Sequence, residues 1–201
     1  EAIGIIKFAA ASTNQKLKLL DARKAQAIKI AAKEVMSGKH DNQFPLDVFQ
    51  TGSGTSSNMN ANEVIANLAS KFAKTKVDPN DDVNMSQSSN DVIPTAIKVS
   101  AHMDLTKKLL PALDKLIEVT EKKGISLKSI VKTGRTHLMD AMPLDFHQEL
   151  FAWVAQLKNS KKTLLFLETR MLEMPLGGTA VGTGINAHPR FAKLFAQELN
   201  K

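Results

Sequence analysis

The chain has 201 residues, of which 43% are hydrophobic and 23% charged, and it contains no cysteine. This composition excludes intrinsic disorder, a disulfide scaffold and a thiolate metal site, and the length suits one domain or one and a fraction. The formal charge of +7 comes almost wholly from scattered lysines, which predicts solvated helix faces rather than a nucleic-acid surface. No apolar run approaches the roughly 20 residues of a membrane span, so we expect a soluble protein.

The first part of the chain predicts two helices and then a polar run. Residues 1–20 favour a helix, and Asp21 is a good N-cap for a second helix that ends at Gly38. Small polar residues then fill 51–62 and lead directly into the next helical stretch. On composition alone, such a run is more typical of a flexible loop with a helix cap than of a site.

A second polar run, 84–91, precedes a long helical pattern. Pro111 predicts a bend in this helix, and Gly124 is predicted to end it. The third polar segment, 132–144, precedes the longest helical pattern, 145–171. Apolar residues repeat there at a spacing of seven, which is typical of a helix in a multi-helix bundle.

The last part of the chain predicts a loop and a short helix. Pro175 stops the long helix, 175–189 is rich in Gly and Thr, and a last helix begins near Pro189. No strand pairing or sequence repeat stands out. The sequence therefore predicts a mainly α fold.

The polar runs that open helices could bind an anion. A helix start presents free backbone N–H groups and a partial positive charge, and the side chains add neutral donors, which suits a carboxylate better than a metal. Loops at the same end of a helical bundle can converge. Three capped helices would give the same composition without any site, so the residues alone leave both interpretations open.

His137 is the histidine best placed for proton transfer. It follows Arg135 and Thr136 in a loop whose Gly134 permits unusual backbone angles, and imidazole exchanges a proton near neutral pH. A single loop histidine is more often structural. The sequence has no HExxH motif of a zinc protease and no GxxxxGK[ST] motif of a phosphate-binding loop. Turn formation or helix capping accounts for the aspartates at 78, 81, 82 and 91 better than cation binding does.

The polar segments are TGSGTSSNMNANEVIANLAS (51–70), DPNDDVNMSQSSNDVIPTA (78–96), KTGRTHLMDAMPL (132–144) and PLGGTAVGTGINAHP (175–189). In this order and at these separations they resemble class II fumarases, of the fumarase/aspartase superfamily. The resemblance runs through the whole chain. Four long motifs in register are far more specific than any single short pattern.

The resemblance implies a helical N-terminal domain over 1–90, with its start missing, and the beginning of a central helical bundle over 91–201. It implies a homotetrameric hydro-lyase that interconverts fumarate and L-malate without metal or organic cofactor, with active sites shared between subunits and no nucleic-acid or membrane partner. The location it implies is cytoplasmic, or mitochondrial in a eukaryote.

Carried over residue by residue, the resemblance implies substrate-binding residues in three segments: Ser53, Gly54 and Thr55, then Ser88, Ser89 and Asn90, then Thr136. His137 matches the family's histidine, which handles the proton of the added or eliminated water. Aspartases typically carry glutamine at this position, so His137 favours water over ammonia as the leaving group. An aspartate ammonia-lyase and a non-catalytic helical scaffold are the alternatives.

The sequence departs from the family pattern in two places. Asp78, Pro79, Asn80 and Asp81 stand where many fumarases carry His-Pro-Asn-Asp at a second dicarboxylate site, and an anion in place of a possible cation predicts weak binding there. The later GSSxMPxKxN loop, with the serine held to be the C3 base, is absent, as is the carboxylate partner of the histidine. We therefore expect the N-terminal portion of a longer enzyme, without hydratase activity by itself.

Overall fold

A computed structural model describes residues 1–47, 49–50 and 52–201. Within these ranges the chain forms seven α-helices and one antiparallel pair of β-strands. The helices are α1 (Ala2–Lys16), α2 (Ala22–Met36), α3 (Thr55–Ala73), α4 (Ser89–Asp104), α5 (Leu110–Ser126), α6 (Phe146–Met171) and α7 (Phe191–Leu199). The strands are β1 (Val131–Thr136) and β2 (Met139–Asp145). The mainly α prediction is confirmed, and none of the described helices is long and apolar enough to cross a membrane.

The described chain divides into two compact units. Unit 1 comprises Glu1–Ser100 and Met174–Lys201, and unit 2 comprises Ala101–Glu173. The predicted boundary at residue 90 concerns the domains of a longer protein and stays a prediction.

Small side chains bring the first three helices of unit 1 close together. Ala31 and Ala32 of α2 and Ala69 of α3 are all 0% exposed. Gly4 of α1 lies so near α2 that a Cβ added to it would be 2.9 Å from the Met36 Cγ. Asp21 caps α2 as predicted, since its carboxylate accepts from two backbone N–H groups at the start of that helix.

The last helix, α7, completes the core of unit 1. Phe191 and Phe195 are 0% and 1% exposed and form one hydrophobic cluster with Ile6 and Ala10 of α1 and with Leu176. Residues that are distant in the chain therefore share one core, and the start of α7 at Phe191 confirms the helix predicted from about residue 189.

Unit 2 contains α5, α6 and the β-strands. α6 begins with a capping box, in which the Asp145 carboxylate accepts from the Gln148 backbone N–H and the Gln148 side chain accepts from the Asp145 N–H. The prediction that Gly124 ends the helix before it is wrong, because α5 runs on to Ser126. Gly124 is needed for packing instead, since a Cβ there would lie 2.9 Å from the Phe151 ring.

The expectation that no strands pair is also wrong. β1 and β2 form a hairpin in which Val131 pairs with Asp145 and Thr136 with Met139. His137 and Leu138 connect them with φ of 51° and 62°, the left-handed angles of a tight two-residue hairpin turn. The sequence hides this hairpin because its turn lacks Asn-Gly or Asp-Gly and because both strands are mostly exposed, so no buried face imposes a period of two.

The irregularity predicted at Pro111 takes the form of a wide π turn over Leu105–Leu109, directly before α5. Proline has no N–H to donate, and its ring crowds the carbonyl one turn earlier, so the regular helical hydrogen-bond ladder cannot pass through it. A second π turn covers Pro79–Val83, and a 3-10 turn covers Asp41–Gln43.

Replacing Phe191 with alanine should destabilise the chain by about 3–5 kcal/mol, because it empties a fully buried site in the core that α7 completes. Phe49→Ala is the matched control, since Phe49 is 91% exposed. Chemical denaturation measures both variants. Equal free energies of unfolding for the two variants would contradict the assigned core.

Candidate active site

The first predicted substrate loop lies at the start of α3, against α4. Gly54 immediately precedes α3 and has a φ of +68°. A Cβ added to it would lie 2.7 Å from Cγ1 of Ile93 in α4, so both the backbone angle and the close approach require glycine. Ser53 and Thr55 are exposed on either side, and the Ser53 hydroxyl donates to the Thr55 hydroxyl at 3.4 Å.

The second predicted loop lies at the start of α4 and is bonded to α3. Asn58, in the first turns of α3, donates from Nδ2 to the Ser89 Oγ at 2.9 Å. The Asn90 backbone N–H donates to the Ser88 Oγ at 3.3 Å. The structure thus brings two of the predicted loops together, and both sit at helix starts, where free N–H groups favour an anion.

Asp91 joins the second loop to the Gly/Thr-rich segment. It is 2% exposed, and its Oδ1 accepts from the Ser88 N–H at 2.9 Å. Its Oδ2 accepts from the N–H groups of Gly177 at 3.0 Å and Thr179 at 2.8 Å. The capping role predicted for this aspartate is present, and the link to residues 177–179 is a tertiary role that the sequence does not show.

The second loop and the Gly/Thr-rich segment enclose a polar cavity of about 250 Å³, lined by Ser86, Gln87, Ser88, Thr179, Ala180, Ile185 and Asn186. Asn90 crosses the same junction, since its Nδ2 donates to the Ala180 carbonyl at 2.9 Å. The 175–189 segment therefore belongs to the framework of the site.

A buried lysine supports the second loop. Lys7 of α1 is 0% exposed, and its Nζ donates to the Asn84 Oδ1 at 2.8 Å and to the Gln87 Oε1 at 3.0 Å. Burial lowers the pKa of Lys7 from 10.5 to about 7, and the negative charge of Asp91 partly opposes that shift. Sequence inspection missed Lys7. The available signal was one lysine inside an otherwise apolar run, IGIIKFAAA.

Thr136 and His137 lie in unit 2 and not at a helix start. Thr136 is the last residue of β1, and His137 is the first residue of the hairpin turn, where its side chain is exposed. Gly134 does not have the unusual backbone angle expected of it. Glycine is required at this position because the backbone of the neighbouring strand is close: an added Cβ would lie 2.5 Å from the Met142 carbonyl oxygen.

The segment at the possible second dicarboxylate site forms a turn that Asp78 caps. The Asp78 carboxylate accepts from the N–H groups of Asn80 at 2.9 Å and Asp81 at 3.1 Å, and it caps the π turn that begins at Pro79. These two backbone hydrogen bonds are the main cause of the lowered pKa of Asp78. The group is therefore negative, which opposes binding of a second anion.

The whole chain, residues 1–201, matches the protein family described as Lyase. The class II fumarate hydratase of Xylella fastidiosa (strain Temecula1) is 54% identical over 192 residues, which are 96% of this chain and 41% of that protein. The class II fumarate hydratase of Bacillus subtilis (strain 168) is 49% identical over 206 residues, which cover 100% of this chain and 45% of that protein.

Solved structures agree with the sequence relatives. The crystal structure of a recombinant class II fumarase from Schistosoma mansoni matches with a TM-score of 0.94 at 40% identity, over 98% of this chain and 43% of that one. A fumarate lyase:delta crystallin from Brucella melitensis matches with a TM-score of 0.92 at 43% identity, over 99% and 44%. The helical fold of this chain is thus shared with a solved fumarase and a solved fumarate lyase.

This chain belongs to that lyase family. The two sequence relatives described above are class II fumarate hydratases. The chain spans 41% to 45% of the length of these two proteins.

The buried Lys7 predicts how stability changes with pH. Its pKa is about 7 in the folded chain against an ordinary 10.5, so between these values the unfolded chain binds more protons. Stability should therefore rise as the pH increases from about 7 to 10, by up to about 1.4 kcal/mol per pH unit from this group.

Urea unfolding at several pH values measures this rise in the unsubstituted chain, in Lys7→Met and in the control Lys71→Met, whose lysine is exposed. We expect Lys7→Met alone to lose the rise. A slope that Lys7→Met leaves unchanged would contradict the lowered pKa of Lys7.

Proposed function

We propose that this chain is the N-terminal part of a class II fumarase, a hydro-lyase that interconverts fumarate and L-malate. The observation that carries the proposal is the junction of two donor-rich loops at the starts of α3 and α4, tied by Asn58 to Ser89 and placed over the buried Lys7. The names of the relatives support the same reaction.

The reaction requires hydrogen-bond donors that stabilise negative charge. Dehydration of L-malate breaks the C3–H and C2–O bonds, forms the C2=C3 double bond, and releases the proton and the hydroxyl as water. Removing the C3 proton first leaves a dianionic aci-carboxylate. Neutral donors held in place before the reaction, together with helix-start N–H groups, stabilise that charge more than they stabilise the substrate. Thr55, Ser88, Ser89 and Asn90 supply side-chain donors of this kind.

We assign the proton of the leaving hydroxyl to His137. Its position at a hairpin turn, with Thr136 directly before it, leaves the imidazole exposed and accessible to a substrate. A protonated imidazole gives its proton to the hydroxyl as C2–O breaks, and the neutral ring takes a proton from water in the hydration direction.

The other parts of the proposal concern the longer enzyme. We propose a homotetramer whose active sites draw on more than one subunit, with the C3 base and part of the substrate clamp supplied from outside this chain. The reaction needs no metal or organic cofactor, and the location is cytoplasmic, or mitochondrial in a eukaryote. A second dicarboxylate site at Asp78–Asp81 is weak, because the Asp78 carboxylate is negative and already caps a turn.

In the longer enzyme, His137→Asn should lower kcat by about 100-fold or more, the usual effect of losing a general acid–base group, while the fold stays intact. The measurement is malate-dependent absorbance at the fumarate band, with circular dichroism to check the fold. His40→Asn is the matched control, since His40 pairs with Glu34 on the surface of unit 1 and takes no part in the proposed chemistry.

An unchanged rate in His137→Asn would remove His137 from the mechanism. An unsubstituted enzyme that consumes L-aspartate and not L-malate would instead make the protein an ammonia-lyase. Absence of both activities would favour a non-catalytic scaffold.

The 201-residue chain by itself should show no hydratase activity, because it covers less than half of its relatives' length and holds only part of the proposed site. The same absorbance assay checks this with purified chain at high concentration beside the longer enzyme. Turnover by the chain alone at a rate near that of the longer enzyme would show that these residues form a complete site.

A further inference from the structure

Lys7 is a buried charged group that the proposed mechanism does not use. Its side chain is 0% exposed, and both of its hydrogen-bond partners, Asn84 Oδ1 and Gln87 Oε1, are neutral. Burying a charge among neutral acceptors costs stability, and an apolar side chain of similar length would avoid that cost. The position therefore needs an explanation beyond packing.

Lysine determines which way its neighbours' amide groups point. The Lys7 Nζ carries N–H donors whether or not it is protonated, and it donates to the oxygens of Asn84 and Gln87, which therefore face it. The amide nitrogens are then turned toward backbone carbonyls, with Gln87 Nε2 donating to Val83 and Met85, both at 3.1 Å, and Asn84 Nδ2 donating to Gln87 at 3.3 Å. Lys7 thus orients the whole 83–87 segment.

The orientation passes on to Asn58. The Asn84 Oδ1 that accepts from Lys7 also accepts from the Asn58 Nδ2, at 3.3 Å. Turning the Asn58 amide around would place two acceptor oxygens face to face. The Oδ1 of Asn58 is buried and has no hydrogen-bond partner among the described residues, which normally costs stability. This cost indicates that the orientation is imposed by its neighbours.

The last member of the series is Ser89, a residue of the second substrate loop. Asn58 Nδ2 donates to the Ser89 Oγ at 2.9 Å, so the serine oxygen accepts and its hydrogen is left to donate elsewhere. A carboxylate accepts hydrogen bonds and cannot donate them. If the Ser89 hydroxyl donated its hydrogen to the Asn58 oxygen, it could not donate that hydrogen to a carboxylate.

We propose that Lys7 is a positioning residue for substrate binding, which acts through Asn84 and Asn58 to keep the Ser89 hydroxyl a hydrogen-bond donor toward the substrate carboxylate. We call the series Lys7, Asn84, Asn58 and Ser89 the polarity relay. The proposal rests on the proposed function, which makes a dicarboxylate the ligand of Ser89. Asp91, which is on α4 and part of the same framework, is the charged group that acts on Lys7.

The test is Lys7→Met in the longer enzyme, assayed with L-malate. Methionine matches the length of the buried chain and removes its donors. We expect KM to rise about tenfold, which is the worth of one hydrogen bond to a charged group. kcat should fall as well, because Ser89 is one of the donors that stabilise the charge developing on the aci-carboxylate. An active Lys7→Met enzyme with an unchanged KM would overturn the relay.

Ile6→Ala is the structural control. Ile6 is the neighbouring residue in α1, is 0% exposed and makes no hydrogen bond to the relay. The control should lower the melting temperature while leaving KM unchanged. A KM that rises as much in Ile6→Ala as in Lys7→Met would show that loss of core stability, and not the relay, sets substrate affinity.

A double-mutant cycle tests whether Lys7 acts through Ser89. Ser89→Ala alone should raise KM, and adding Lys7→Met to it should raise KM by less than about twofold more, because the affected hydroxyl is already gone. If the KM of the double variant rose by the product of the two single-variant factors, Lys7 would not act through Ser89. If Lys7→Met does not fold, Asn58→Leu takes its place in the cycle, with the same expected outcomes.

Nuclear magnetic resonance of the 201-residue chain provides a test that does not depend on activity. We expect hydrogen exchange of the Asn58 side-chain NH2 to be at least about tenfold faster in Lys7→Met than in Ile6→Ala. Equal exchange in the two variants would overturn the relay whether or not the protein is a fumarase. Lack of malate turnover by the unsubstituted longer enzyme would instead contradict the proposed function.

Discussion

The buried amine of Lys7 is the constraint around which the candidate site is arranged. It is fully buried in α1, and the oxygens of Asn84 and Gln87 turn toward it. A buried amine without hydrogen-bond partners would destabilise the fold. The loop before α4 therefore takes the conformation that provides two oxygens at this point, and the hydroxyls of Ser88 and Ser89 are placed as a consequence. Lys7 lies on α1 beside Ile6, which belongs to the core that α7 completes.

Asp91 is a second buried side chain that bonds to the same loop. Its two oxygens accept from one N–H at the start of α4 and from two N–H groups of the Gly/Thr-rich segment. The framework thus contains two buried titratable side chains, Lys7 and Asp91, each hydrogen-bonded to groups of the loops around the start of α4. Loops composed of small polar residues are held in place by hydrogen bonds to these two side chains, and donors must be held in place to stabilise charge that develops during a reaction.

Much of the fold could be predicted from the sequence, but its irregular parts could not. Helix periodicity and caps such as Asp21 are local signals, so the helices were expected and are present. The β-hairpin carries His137 but has mostly exposed strands and no Gly in its turn, so neither alternation nor turn chemistry marks it. The sequence predicts a helix end at Gly124, but the structure shows a close contact with Phe151 there. Such a close approach between helices leaves no local signal in the sequence.

The sequence by itself determined the helical class, the family resemblance and the residue types of the site, because periodicity and long motifs are properties of the chain. The tertiary structure alone decided that Lys7, Asn58, Ser89 and residues 177–179 belong to one framework. Lys7 and Asn84 are separated by 77 positions, and Thr179 and Asp91 by 88. Burial and hydrogen-bond direction arise only when such distant segments meet, and they make a lysine in an apolar helix a buried hydrogen-bond donor to the polar loop before α4.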